Sequence, residues 1–200
     1  MIMPIKDNRE YRNTGCIETR RENEKLFVTG YASTFEPYLL YESNGAKWYE
    51  HIEPAAFDGC DMSDVVFLVD HAGTVLGRTK NGAVVLDVDE RGLHVSADLS
   101  RTAKAREAFE AIEAQNYTQM SFSFIVDEDE YTQEGLNVTR RIKKLKKLYD
   151  VSAVAFPANP GTDIGVSYRD LFNGEIERIE AERRKAICER ERLKLKLRLM

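Results

Sequence analysis

The sequence predicts an α+β domain made mainly of antiparallel strands, a barrel or sandwich with helices attached. Three observations lead there. Extended segments rich in β-branched and aromatic residues follow one another across short turn signals, with no β-α-β alternation. One clear helical period interrupts them in mid-chain. From residue 171 the composition turns abruptly to Glu, Arg and Lys. The bulk numbers agree with one domain plus an appended helix: 200 residues, 42% hydrophobic and 32% charged. Acidic residues outnumber basic ones, 34 to 29, for a net charge of −5. Phosphate binding favours a basic face, so nucleic acid is not expected as a partner. No apolar run approaches the ~18 residues that suggest a membrane span. The opening "MIMPIKDNREYRN" has no apolar signal-peptide core. Neither membrane insertion nor secretion is expected.

The elements read in order as follows. "KLFVTGYASTF", residues 25–35, is a strand interrupted by Gly30, where a bulge is expected. "WYEHIEPAAF" reads as a loop, and "DVVFLVDH" as a short apolar strand. In residues 74–99 the turn signals Asn81-Gly82 and Arg91-Gly92 predict three extended segments joined as a meander. The last is one-sided, with Leu93, Val95, Ala97 and Leu99 alternating with His94, Ser96 and Asp98. "SRTAKAREAFEAIEAQ" is a helix capped by Ser100 or Thr102, with Ala105, Ala108, Phe109 and Ile112 on one face. "YTQMSFSFIVDEDE" returns to a strand, with Ser121 and Ser123 on one face and Phe122 and Phe124 on the other. "LNVTRRIKKLKKLYDVSAVAFP" gives one or two more strands, ended by Pro157 and the turn "PANPGTD". The closing 30 residues read as a solvated or partner-seeking helix, with Glu180 four residues before Arg184. The final "LKLKLRLM" alternates with period two and is not expected to continue it.

Few residues qualify for chemistry. Cys16, Cys60 and Cys188 are scattered without a CxxC pair, so neither a disulfide framework nor a metal site is expected. Cys60, in a polar loop, would make a nucleophile only as a thiolate. Of the three histidines, His94 lies on a polar strand face and His51 in the presumed loop. His71 ends an apolar strand that opens into a small-residue turn, "DHAGTVLGRT". A rigid scaffold commonly presents a working side chain at such a place. Imidazole is the usual base for a serine hydroxyl. There is neither a G-x-S-x-G elbow nor an S-x-x-K, so any serine nucleophile would need its base from a different strand.

Several blocks in order resemble the tailed-phage prohead (capsid maturation) proteases. They are "VTGYASTFEP", "YEHIEPAAFDG", "FLVDHAGTVLGRTKNGAVVLDVDERGLHVSADLSRT", "NYTQMSFSFIV" and "LYDVSAVAFPANPGTD", together spanning roughly residues 30–162. The resemblance implies a serine protease related in fold to the herpesvirus assembly proteases, a closed or nearly closed barrel surrounded by helices. It places the family histidine on His71 and the nucleophile on Ser121, directly after Met120. It places a third, acidic member on Asp150, before "VS". Glycine is usual in the family where this chain has Ser123, which leaves Ser123 a small neighbour and the main rival nucleophile. Asp70 is adjacent to His71 but, in an extended chain, would face away. Asp98 is the other candidate acid. For the oxyanion, Arg140, Arg141 and Arg78 are available. A basic strand edge that discourages aggregation is the preferred reading of Arg140 and Arg141.

The implied organisation is an N-terminal segment 1–24, a protease domain 25–170 and a charged tail 171–200. The implied activity is peptide-bond hydrolysis through a Ser121 acyl-enzyme, with no metal or cofactor. The implied substrates are the scaffold protein, the scaffolding extension of the major capsid protein, and the protease itself. Its implied location is the assembling prohead in the host cytoplasm, and the analogy with herpesvirus relatives implies self-association. Two other readings stay open: a catalytically inactive relative serving as a scaffold, and a cysteine-dependent enzyme using Cys60.

Overall fold

The computed structural model describes residues 9–43 and 45–155, with part of a helix between residues 178 and 194. The chain divides into two units, Met1–Pro160 and Gly161–Met200. The described residues of the first form one ten-stranded sheet with a single α-helix and two short 3-10 turns.

Its spine is a long hairpin. Strand β9 (Gln119–Glu134) runs antiparallel to β10 (Asn137–Val154). The outer edge of β10 is shared. Strand β4 (Ala46–Ile52) pairs parallel with its first part and β5 (Val66–Val69) parallel with its last. On the other side β9 pairs with β1 (Glu10–Glu22). Strand β1 changes partner in mid-course: Glu10 to Cys16 face β9, and from Ile17 onward the partner is β2 (Lys25–Thr34). Beyond β2 come β8 (Gly92–Asp98) and β7 (Val84–Val88). At the opposite end β3 (Tyr38–Ser43) pairs with β4, and β6 (Ala72–Arg78) pairs with β5.

Four expectations change. The strand order ends on β3 and β7, which share no ladder among the described residues, so the sheet is open and not a closed barrel. Residues 10–22, read as part of a preceding segment, form β1 inside the sheet. "WYEHI" belongs to a strand, β4, whose alternate residues Trp48, Glu50 and Ile52 are buried; Glu50 conceals the pattern because a buried carboxylate reads as a surface residue. The meander is only a β7–β8 hairpin. Asn81-Gly82 lies in a 3-10 turn with Gly82 in the left-handed region, and it carries the chain from the β5–β6 hairpin to the next one.

Local chemistry accounts for the rest. Strands β1 and β2 approach too closely for side chains. A Cβ on Gly15 would lie 2.4 Å from the Tyr31 carbonyl oxygen, and one on Gly30 2.7 Å from that of Cys16. The bulge in β2 falls at Ala32, where the register shifts between Tyr31 and Ser33. Helix α1 (Ala103–Glu113) is capped by Thr102, whose hydroxyl accepts from the Ala105 N–H at 3.1 Å. It buries Ala105, Phe109 and Ile112 in the core. Phe122 and Phe124 stack on the core face of β9, ring centroids 4.6 Å apart.

The core also holds charge. Arg12 donates to Glu50 at 2.5 and 2.7 Å and to Glu10 at 2.6 Å. Arg140 donates to Glu10 at 2.6 and 2.8 Å, to Glu50 at 3.1 Å and to Asp129 at 2.5 Å. Tyr38 donates its hydroxyl to Glu50. Arg12 is 1% exposed and Glu50 not at all. Arg140 is therefore not part of a basic edge: β10 lies between β4 and β9, and the guanidinium points inward to carboxylates.

Of the second unit, the described residues are helical as far as residue 194 and exposed, with Arg178 paired to Glu182 at 2.9 Å. The helix thus reaches two residues into the alternating stretch. Pro157 and "PANPGTD" lie outside the described residues. Among the described residues no helix is long and apolar enough to cross a membrane.

Candidate active site

The register of three strands lays out the site. In an antiparallel ladder directly opposed residues share a face. Ser123 opposes Asp150 on β10 and Tyr11 on β1; one step along, Ser121 opposes Ser152. Two adjacent rows of polar side chains therefore cross β9 and β10 on the face opposite Phe122 and Phe124. Ser121, Ser123 and Ser152 are completely buried.

His71 reaches this face from the β5–β6 turn. Val69 pairs with Ala72, so Asp70 and His71 make a two-residue hairpin turn. Both have positive φ, 48° and 55°, as a type I′ turn requires. Asp and His are among the non-glycine residues that enter this region most readily. The Asp70 N–H donates to the Ala153 carbonyl at 3.0 Å, which ties the turn to β10.

There the imidazole has both nitrogens engaged. Nε2 is 2.6 Å from Ser121 Oγ, and Nδ1 is 2.5 Å from Asp150 Oδ1. An ionised carboxylate only accepts, so Nδ1 carries the proton and the Nε2 lone pair faces the Ser121 hydroxyl. Ser123 donates to Asp150 Oδ2, and Ser152 donates to Oδ1 at 2.8 Å. Ser152 Oγ also lies 3.2 Å from His71 Nδ1. Burial raises the proton affinity of Asp150. The hydrogen bond from His71, and the positive charge the ring carries once protonated, outweigh it, with help from Ser123 and Ser152, and hold the carboxyl below its ordinary value. The Tyr11 ring meets the imidazole edge-on, centroids 4.7 Å apart. Burial and the Asp150 charge push its phenol up.

The remaining sequence candidates lie elsewhere. Asp70 is in a turn and not in extended chain; its carboxylate accepts from the Ala155 N–H at 3.4 Å. Asp98 accepts from the Ser100 N–H and hydroxyl and pairs with Arg101. Arg78 is bidentate to Asp64, and Arg141 pairs with Glu53 and Glu130. His94 packs edge-on against Tyr31, and His51 lies in β4. Burial pushes the Cys60 thiol up to about 11, with Asp61 adding to the effect, which leaves little thiolate near neutrality. Ser152 and Tyr11 went unnoticed in the sequence. Ser152 had a signal, since "DVS" puts it two residues from Asp150 on one strand face.

A hydroxyl, an imidazole and a carboxylate joined in series on a β scaffold define the arrangement of the serine hydrolases. The comparison with known families narrows this. The caudovirus prohead serine protease model matches residues 16–176, and the chain belongs to that family. No curated protein matches the chain. No solved structure matches it either. Membership makes the protein a serine-type peptidase of phage capsid maturation, acting on phage capsid proteins.

Proposed function

We propose that Ser121 is the nucleophile, His71 the general base and Asp150 the acid that orients it. One observation carries this reading: a single imidazole whose two nitrogens lie 2.6 Å from a serine hydroxyl and 2.5 Å from a carboxylate. As Ser121 Oγ bonds to the scissile carbonyl carbon, its proton passes to His71 Nε2. The imidazolium is stabilised by Asp150 and gives that proton to the leaving amine as the C–N bond breaks. Water then attacks the acyl-serine, His71 takes its proton, and the acid product leaves with Ser121 restored.

The substrates are the scaffold protein, the scaffolding extension of the major capsid protein and the protease itself, within the assembling prohead in the host cytoplasm. The charged tail tethers the enzyme there and raises its effective concentration toward substrate. The test is co-expression with the phage scaffold and capsid proteins. Wild type and Ser123→Ala are expected to process them, and Ser121→Ala and His71→Ala to leave them intact. Processing by Ser121→Ala would refute the assignment. No processing by the wild type would favour an inactive structural relative.

A further inference from the structure

We infer that Ser123 and Ser152 are positioning residues, which clamp the Asp150 carboxylate from both sides and set the pH at which the site becomes active. This rests on the assignment of His71, Ser121 and Asp150 above. The geometry is specific. Asp150 Oδ1 receives His71 Nδ1 at 2.5 Å and the Ser152 hydroxyl at 2.8 Å, while Oδ2 receives the Ser123 hydroxyl. Both hydroxyls are fully buried, so each bond is made away from water.

The carboxylate needs these donors. A buried carboxylate is poorly solvated, and an imidazole N–H satisfies only one of its oxygens. Without Ser123, Oδ2 would lose the donor that the structure gives it. Without Ser152, Oδ1 could rotate away from Nδ1, because that hydroxyl lies 2.8 Å from Oδ1 and 3.2 Å from Nδ1 and closes the triangle. Ser123 is thus more than a small neighbour of the nucleophile. It occupies the row of Asp150, one step from Ser121, and its hydroxyl is committed to the acid.

The surroundings give the direction of the pH effect. From β1 the ionisable group on this side is Tyr11, edge-on to His71; Arg9, just before β1, has its guanidinium 3.7 Å from the Tyr149 ring centroid, and in the β5–β6 turn Asp70 accepts from the Ala155 N–H. From β9 come the hydroxyls of Ser121 and Ser123, and from β5 the residue opposite Asp150 is Val66. Asp150 is thus the carboxylate that His71 contacts, and its two oxygens take the donors. Hydroxyl donors draw charge from the carboxylate and lower its proton affinity. Removing one raises it, so the acid limb of activity moves to higher pH.

The experiment is the rate of inactivation by a fluorophosphonate across pH, on the full chain, with thermal unfolding measured in parallel. Ser123→Ala and Ser152→Ala are each expected to react about tenfold more slowly at neutral pH, the loss of one hydrogen bond to a charged group. Their acid limb should rise by roughly one pH unit. Ser152→Thr, which keeps a hydroxyl, should retain the wild-type limb. A lowered unfolding temperature with an unmoved acid limb would reduce the serines to packing residues and overturn the inference. Each site reads independently, so one variant that fails to fold leaves the other to decide. Absence of wild-type reaction at Ser121 would instead count against the triad.

Discussion

Replacing Arg12 by methionine tests the buried ion cluster, which ties β1 to β4 and β10. The side chain is similar in length, so the change removes charge and donors more than volume. Glu50 loses both bonds from Arg12, at 2.5 and 2.7 Å, and keeps the Tyr38 hydroxyl and Arg140 at 3.1 Å. Glu10 keeps Arg140. Breaking a buried pair by removing one partner costs about 3–5 kcal/mol, because a charge is left uncompensated. For a domain of this size that lowers the unfolding temperature by roughly 10 °C. The pH dependence gives a second handle. Burial alone would raise Glu10, but Arg12 and Arg140 hold it below its ordinary value. Its stabilising contribution is therefore present above the ordinary glutamate range and is lost as pH falls through the lowered value. In the variant Glu10 and Glu50 share Arg140, so a buried negative charge is left in excess; the cluster takes up a proton more readily, and the penalty grows as pH rises. The gap between wild type and Arg12→Met should be widest near pH 7 and should narrow toward pH 4. Adding Glu50→Gln should recover part of the loss, since a neutral amide tolerates burial better. Calorimetric scans at several pH values measure all three. A variant within about two degrees of wild type, or a deficit independent of pH, would refute the reasoning.

Asp150→Asn preserves shape but favours the tautomer that puts the proton on Nε2 of His71. It should lower kcat by a factor on the order of 10⁴, the loss known for this substitution in the serine-protease template, with little change in KM. A loss below tenfold would remove Asp150 from the triad. Iodoacetamide should modify Cys60 slowly at pH 7.5 and leave activity intact, because its thiol is pushed up to about 11; rapid inactivation traced to Cys60 would contradict this. Deleting residues 171–200 should leave cleavage of a soluble peptide nearly unchanged while incorporation into proheads falls. Equal loss of both would tell against a tether.

The parts of this protein visible in its sequence are those governed by short-range periodicity. Ala105, Phe109 and Ile112 at helical spacing mark α1, and the alternation of Ser121 and Ser123 with Phe122 and Phe124 marks β9. The serine rows follow once β9 and β10 pair, but which residues oppose each other depends on register shifts between Ile142 and Asp150 that no local signal announces. A turn after the apolar strand was legible, but its two-residue type I′ form at Asp70-His71 was not, because the Asn-Gly or Asp-Gly pair that usually marks such a turn is missing. Asn81-Gly82 misled for the opposite reason: the dipeptide fits several kinds of turn, and here it ends a 3-10 turn. The ion cluster was least legible. Glu10, Arg12, Glu50 and Arg140 stand far apart along the chain, and a charged residue read singly is assigned to the surface.

Mapping a fluorophosphonate adduct by peptide mass spectrometry tests the assignment most directly. The adduct is expected on Ser121, absent in Ser121→Ala, nearly abolished in His71→Ala, and still on Ser121 but formed about tenfold more slowly in Ser123→Ala. An adduct on Ser123 or on any other residue, or one that persists without the Ser121 hydroxyl, would contradict it.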